Sequence, residues 1–152
     1  MTAIMARAEM TGAHILTAAE LASCNVPYLT DSDVAWQHEG VTGTLRLFPA
    51  SYTATTDALA KALFDGDARS CEGRFSLGMT PDERSIQVVR GFEACERTNG
   101  ISDARYIIVP RPDGSRYLFS VFGTLSLAPS PINLVKASEI GLRQEIYSTM
   151  RQ

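Results

Sequence analysis

Residues 104–123, ARYIIVPRPDGSRYLFSVFG, constrain the fold more than any other stretch. Two apolar runs flank Pro112-Asp113-Gly114. Pro112 presets its own φ, Asp113 can cap a turn with its carboxylate, and Gly114 accepts a positive φ, so the stretch predicts a β-hairpin. Side chains alternate along a strand, which puts Tyr117, Phe119 and Val121 on one face and Leu118 and Phe122, with Ser120, on the other. Tyr106 and Ile108 alternate with Ile107 and Val109 in the same way. Neither face of either arm is polar, whereas an antiparallel strand with one wet face alternates apolar and polar residues. The hairpin therefore needs cover above and below, and helices elsewhere in the chain are the candidates. Burying each large side chain contributes roughly 1.5–3 kcal/mol, making this ribbon the expected centre of the core.

Upstream, residues 1–12 show no clean period and are expected to fray. His14 to Leu16 suggests a short strand, and Thr17-Ala18-Ala19-Glu20 reads as a capping box opening a short helix to Cys24. A single turn in a loop is the alternative. Asp31-Ser32-Asp33 is a turn. Val34, Trp36 and His38 alternate with Ala35, Gln37 and Glu39, and Leu45 and Leu47 alternate with Thr44, Arg46 and Phe48, which predicts an N-terminal hairpin. Thr55-Thr56-Asp57 caps a helix over Ala58 to Phe64 that Gly66 is expected to stop.

Arg74 to Met79 is a short strand by composition, and Thr80-Pro81-Asp82-Glu83 a turn. Ile86 to Glu96 is a longer strand, with Val88, Phe92 and Ala94 near one face and Val89, Gly91 and Cys95 on the other. Gly91 marks a bulge or a close approach. Asn99-Gly100 turns the chain into the central hairpin, completing an antiparallel meander. From Pro131, Ile132, Val135, Leu142, Ile146 and Met150 form an apolar stripe at helical spacing, with Gly141 a weak point within it. The expected architecture is a single α+β domain over residues 1–152. Its central antiparallel sheet, a meander plus the N-terminal hairpin, is covered by helices on both faces as an α/β/α sandwich.

This element order resembles the α/β/α sandwich shared by PsbP, the extrinsic subunit of photosystem II, and by the Ran-binding nuclear import factor and bacterial relatives. The features that carry the resemblance are the helix over Asp57 to Phe64, the strand Ile86 to Glu96, YIIVPRPDGSRYLFSVF and the helix from Pro131, over residues 34–150. The resemblance implies a non-enzymatic binding and assembly module and assigns no residue a role.

Composition bounds the function classes. The chain has 152 residues, 45% apolar and 20% charged, as a soluble globular domain does. A net charge of −3 with scattered Arg, and Lys only at Lys61 and Lys136, argues against a general nucleic-acid binder, which needs a concentrated positive field. No apolar run approaches the roughly 18 residues of a membrane span. MTAIMARAEMTGAHIL lacks the apolar core of a signal peptide. The chain as written is thus expected in the cytoplasm, or in the periplasm if a signal peptide was removed. In a reducing compartment Cys24, Cys71 and Cys95 are free thiols; in an exported protein Cys71 and Cys95 are the pair to join.

Chemistry-bearing residues are sparse. His14 and His38 lack further ligands at helical or strand spacing, so no metal is expected. No phosphate-binding glycine fingerprint or Ser-centred elbow is present, and no cofactor is expected. Asp65-Gly66-Asp67 falls short of a calcium loop, because Arg69 stands at the third acidic position, and reads as a helix-ending turn. Cys95 could act as a nucleophile if Arg97 or a histidine lowered its pKa, although no hydrolase signature surrounds it. Arg105, Arg111 and Arg116 cluster around the hairpin with Tyr106 and Tyr117, a set able to recognise a protein or an anionic ligand.

The leading expectation is a non-catalytic binding or accessory domain that engages a protein partner through a sheet edge or the Arg-rich hairpin end. The alternative is a small enzyme or ligand-binding protein with a pocket near Trp36, His38 and Cys95. A homodimer through unpaired sheet edges is a third expectation.

Overall fold

The computed structural model describes residues 14–23, 32–38, 41–82 and 85–124. Among the described residues seven strands form one sheet: β1 (His14–Ile15), β2 (Val34–His38), β3 (Val41–Phe48), β4 (Arg74–Asp82), β5 (Ser85–Arg97), β6 (Gly100–Pro110) and β7 (Arg116–Thr124). Their order is β1-β2-β3-β7-β6-β5-β4, and every pairing is antiparallel. The sheet is thus two meanders joined by one ladder, β3 against β7, in which Leu45 stands opposite Phe119. Two helices are described, α1 (Ala18–Ser23) and α2 (Thr56–Ser70).

The central hairpin folds as its residues dictate. Gly114 adopts a φ of +82°. Asp113 Oδ1 accepts hydrogen bonds from the Ser115 backbone at 3.0 Å and its hydroxyl at 2.5 Å. These bonds, with Arg111 3.2 Å away, hold the Asp113 carboxyl below its usual range. Ile107, Ile108, Val109, Leu118, Phe119 and Val121 are all buried, so each face of the ribbon carries buried apolar residues.

Register sorts the sheet into two faces. On the first, Phe48, Val89, Ile108 and Leu118 pack with Leu59, Ala60 and Phe64 of α2. On the second, Leu45, Val88, Ile107, Val109 and Phe119 form a separate cluster with Val34, Trp36 and Tyr117 against it. Leu16 and Leu21, flanking and within α1, pack against Ala35 and Phe122, which belong to the first face. Both described helices therefore lie on the same face. The helix expected from Pro131 falls outside the described residues.

Local sequence explains the helix ends. Thr17 and Glu20 close the expected capping box: the Thr17 N–H donates to Glu20 Oε2 at 2.7 Å, and the Glu20 N–H to Thr17 Oγ1 at 3.3 Å. The backbone bond, helped by His14 at 2.9 Å, holds the Glu20 carboxyl down at about 2. Thr55 Oγ1 caps α2 by accepting from the Ala58 N–H at 3.1 Å. Gly66 does not stop α2, which runs on to Ser70. A single glycine weakens a helix by about 1 kcal/mol without ending it, and the following turn is tethered by Asp67 and by Cys71, which is disulfide-bonded to Cys95. Of the turn expected over Thr80-Pro81-Asp82-Glu83, Thr80 to Asp82 instead continue β4, with a register shift between Pro81 and Asp82, and Glu83 lies outside the described residues. β4 is an edge strand, where a residue without an N–H is tolerated.

Candidate functional site

On β5, the residues facing α2 are Val89, Gly91, Glu93 and Cys95, so strand alternation turns one carboxyl toward the covered side of the sheet. Glu93 is only 8% exposed. Tyr106, on the neighbouring β6, lies opposite Gly91, where the missing side chain admits the ring of Phe64 from α2. The Phe64 and Tyr106 rings meet edge to face, their centroids 5.8 Å apart. This packing aims the phenol oxygen between two acids. It stands 2.7 Å from Asp67 Oδ2, in the last turn of α2, and 2.8 Å from Glu93 Oε1.

A phenol has one proton and can donate to only one of these carboxyls. The other contact, at hydrogen-bond distance, requires a second proton. Electrostatics assigns it to Glu93: burial first, then the Asp67 charge, pushes this carboxyl up to about 8. The consistent arrangement is a relay in which protonated Glu93 donates to Tyr106 and Tyr106 donates to the Asp67 carboxylate. Burial and the two acids together push the Tyr106 phenol well above its ordinary value. The second oxygen of Glu93, Oε2, is buried and has no hydrogen-bond partner.

Glu93, Tyr106 and Asp67 line a cavity of about 210 Å³. Its floor is the sheet, where Thr44, Ala104 and Ser120 face it, and one wall is the end of α2 with the Cys71–Cys95 disulfide. Phe75 and Phe122 supply apolar surface, and Arg97 is the one cation among the described residues of the lining. Two carboxyls with hydroxyls nearby can bind hydrogen-bond donors and can move a proton near neutral pH. Among the described residues no three His, Cys, Asp or Glu side chains converge on a metal position.

Residues singled out in the sequence are dispersed. Cys95 borders the cavity but is tied to Cys71, their Cα atoms 5.8 Å apart, which removes it as a nucleophile and corrects the free-thiol reading of this pair. Cys24 lies outside the described residues. Trp36 and His38 are on β2, with three strands between them and Cys95 on β5, so the pocket expected from these three residues does not form. Of the hairpin set, Arg111 lies 5.0 Å over the Tyr117 ring. Arg116 donates to the Tyr52 carbonyl at 3.3 Å. Arg105, 3.4 Å from Asp103, lies over the Phe92 ring at 5.1 Å. Tyr106 points inward to the acids. The five side chains are divided between the two faces of the sheet instead of forming one surface.

Compared with protein-family models, with curated proteins and with solved structures, the chain matches none.

Proposed function

We propose that this protein is a binding module for a small molecule held in the cavity over Glu93, Tyr106 and Asp67. Glu93 Oε2 carries the proposal. A buried acceptor without a donor costs about 1–3 kcal/mol or more, and it is retained where a ligand supplies the missing partner. The cavity is smaller than those that take drug-sized ligands, which favours a compact occupant. The test is a screen of small polar molecules followed through the amide resonances of Thr44, Ala104 and Ser120. Ala104→Ile, which fills the cavity from its floor, should abolish binding in a chain that remains folded. Binding that persists in the filled variant would place the ligand elsewhere.

The β4 edge supports a second reading, in which the sheet edge engages a protein. Leu77 and Met79 on β4, and Phe92 on β5, are 50%, 43% and 42% exposed, and an unpaired strand edge offers backbone groups for pairing. Such a role accords with the assembly function that the PsbP-like resemblance implies. Sedimentation velocity on the wild type and on Leu77→Lys/Met79→Lys would report self-association through this edge. The Cys71–Cys95 disulfide favours an oxidising compartment for the folded chain, in keeping with an exported protein. For the sheet face opposite α2, the apolar stripe from Ile132 to Met150 is our proposed cover.

A further inference from the structure

We propose that the ligand of this cavity is a compact organic cation, a primary ammonium of a few carbons, that takes the place of the proton between Glu93 and Asp67. The proposal rests on the small-molecule reading above and adds the ligand's charge.

Two carboxyls converge on one phenol, and Tyr106 can bridge only one of them with its own proton. Once the Glu93 proton is gone, a group placed between the two carboxylates has to supply a further donor, and a positive charge matches their charge best. An ammonium supplies both, with N–H groups enough to reach Glu93 Oε2 as well, the buried oxygen that no side chain or backbone group serves. The hydroxyls of Thr44 and Ser120 on the floor are further acceptors, and Phe75 and Phe122 suit a short hydrocarbon tail.

The charged and titratable groups around Glu93 favour a cation. Asp67 comes from α2, whose carboxyl-terminal end, carrying the negative end of the helix dipole, forms the wall at Ser70 and Cys71. Tyr106 and Asp103 come from β6, with Asp103 held 3.4 Å from Arg105. Arg97, from β5, is the opposing charge, and its side chain is exposed to solvent. A metal ion is the poorer fit, because hard divalent cations collect six or more oxygens and, among the described residues, no third acidic, His or Cys ligand joins Glu93 and Asp67.

The exchange balances. The Glu93 O–H bond breaks and its proton goes to the buffer, while N–H···O bonds form from the ammonium to Glu93. Asp67 with protonated Glu93 carries one negative charge; the two carboxylates with one ammonium carry the same charge.

Calorimetric titration of the intact protein with propylammonium chloride, in two buffers of different ionisation enthalpy, tests this. Below pH 8 the expected result is release of about one proton per bound amine and an affinity that rises about tenfold per pH unit, flattening near pH 8. Glu93→Gln should remove the pH slope and weaken binding at least tenfold, and Asp67→Asn should weaken it as well. Equal affinity for propan-1-ol, or binding without proton release, overturns the proposal. Failure of propylammonium to bind also overturns it. In that case binding of propan-1-ol or acetate in the cavity leaves the small-molecule reading standing, and silence from all three probes removes that reading too.

Discussion

Phe64 occupies the space where a side chain at Gly91 would begin: a Cβ there would stand 2.5 Å from Phe64 Cζ. The contact sets the height of α2 above β5 and, through it, the position of Asp67 one turn further on. Gly91→Ala is expected to lift the helix and cost about 1–3 kcal/mol, the range for overpacking a tight contact. Urea unfolding measures it. Adding Phe64→Leu should recover part of the loss, and a Gly91→Ala chain of wild-type stability would contradict the packing.

The Cys71–Cys95 disulfide closes a loop with a sequence separation of 24. Loop-closure entropy for such a span corresponds to about 3 kcal/mol, which Cys71→Ser/Cys95→Ser should forfeit. Reductant should destabilise the wild type by the same amount and leave the double variant unchanged, as read by denaturant midpoints. The variant should also fray the end of α2 and weaken ligand binding, since Asp67 hangs on that turn.

Two carboxyls set opposite slopes in stability against pH. Glu93 is raised to about 8, so the folded chain holds a proton that the unfolded chain releases above about 4.5. Its contribution is complete below that value and is lost as pH rises through about 8, at no more than about 1.4 kcal/mol per pH unit. Glu20 is lowered to about 2, and its contribution is present above about 4.5 and lost as pH falls toward 2. Denaturant melts between pH 5 and 9 should show the first decline, and Glu93→Gln should flatten it. An unchanged slope in that variant would mean that Glu93 is ionised throughout.

Leu45, Ile107, Val109 and Phe119 are buried on the face that neither described helix covers. Deleting residues 131–152 is expected to uncover this cluster, raising the fluorescence of a hydrophobic dye and lowering the denaturant midpoint. A truncated chain with wild-type stability and no dye binding would assign the cover to another part of the molecule.

The sequence carried much of the sheet and little of the site. Pro112-Asp113-Gly114 and the unbroken apolar arms announce β6 and β7 because turn chemistry and alternation are local properties. The Thr17/Glu20 box and the Thr55 cap announce two helix starts for the same reason. The neighbour of β7 on its other side was not legible, because pairing with β3 depends on residues far apart in the chain. Asp67 was hidden by reading Gly66 as a stop: one turn more of helix brings it from a surface turn to Tyr106. Glu93 did leave a signal. It shares strand parity with Val89, Gly91 and Cys95, and a carboxyl on an inward-facing row is the anomaly that marks a buried acid.

A ribosome delivers this chain from the amino terminus, and the single seam between the two meanders joins the third strand to the seventh. The early strands therefore wait, with one edge of β3 open, until β7 has emerged. During synthesis this leaves a period of vulnerability to aggregation at that edge, and it makes the final hairpin the step that converts two separate ribbons into one cooperative unit.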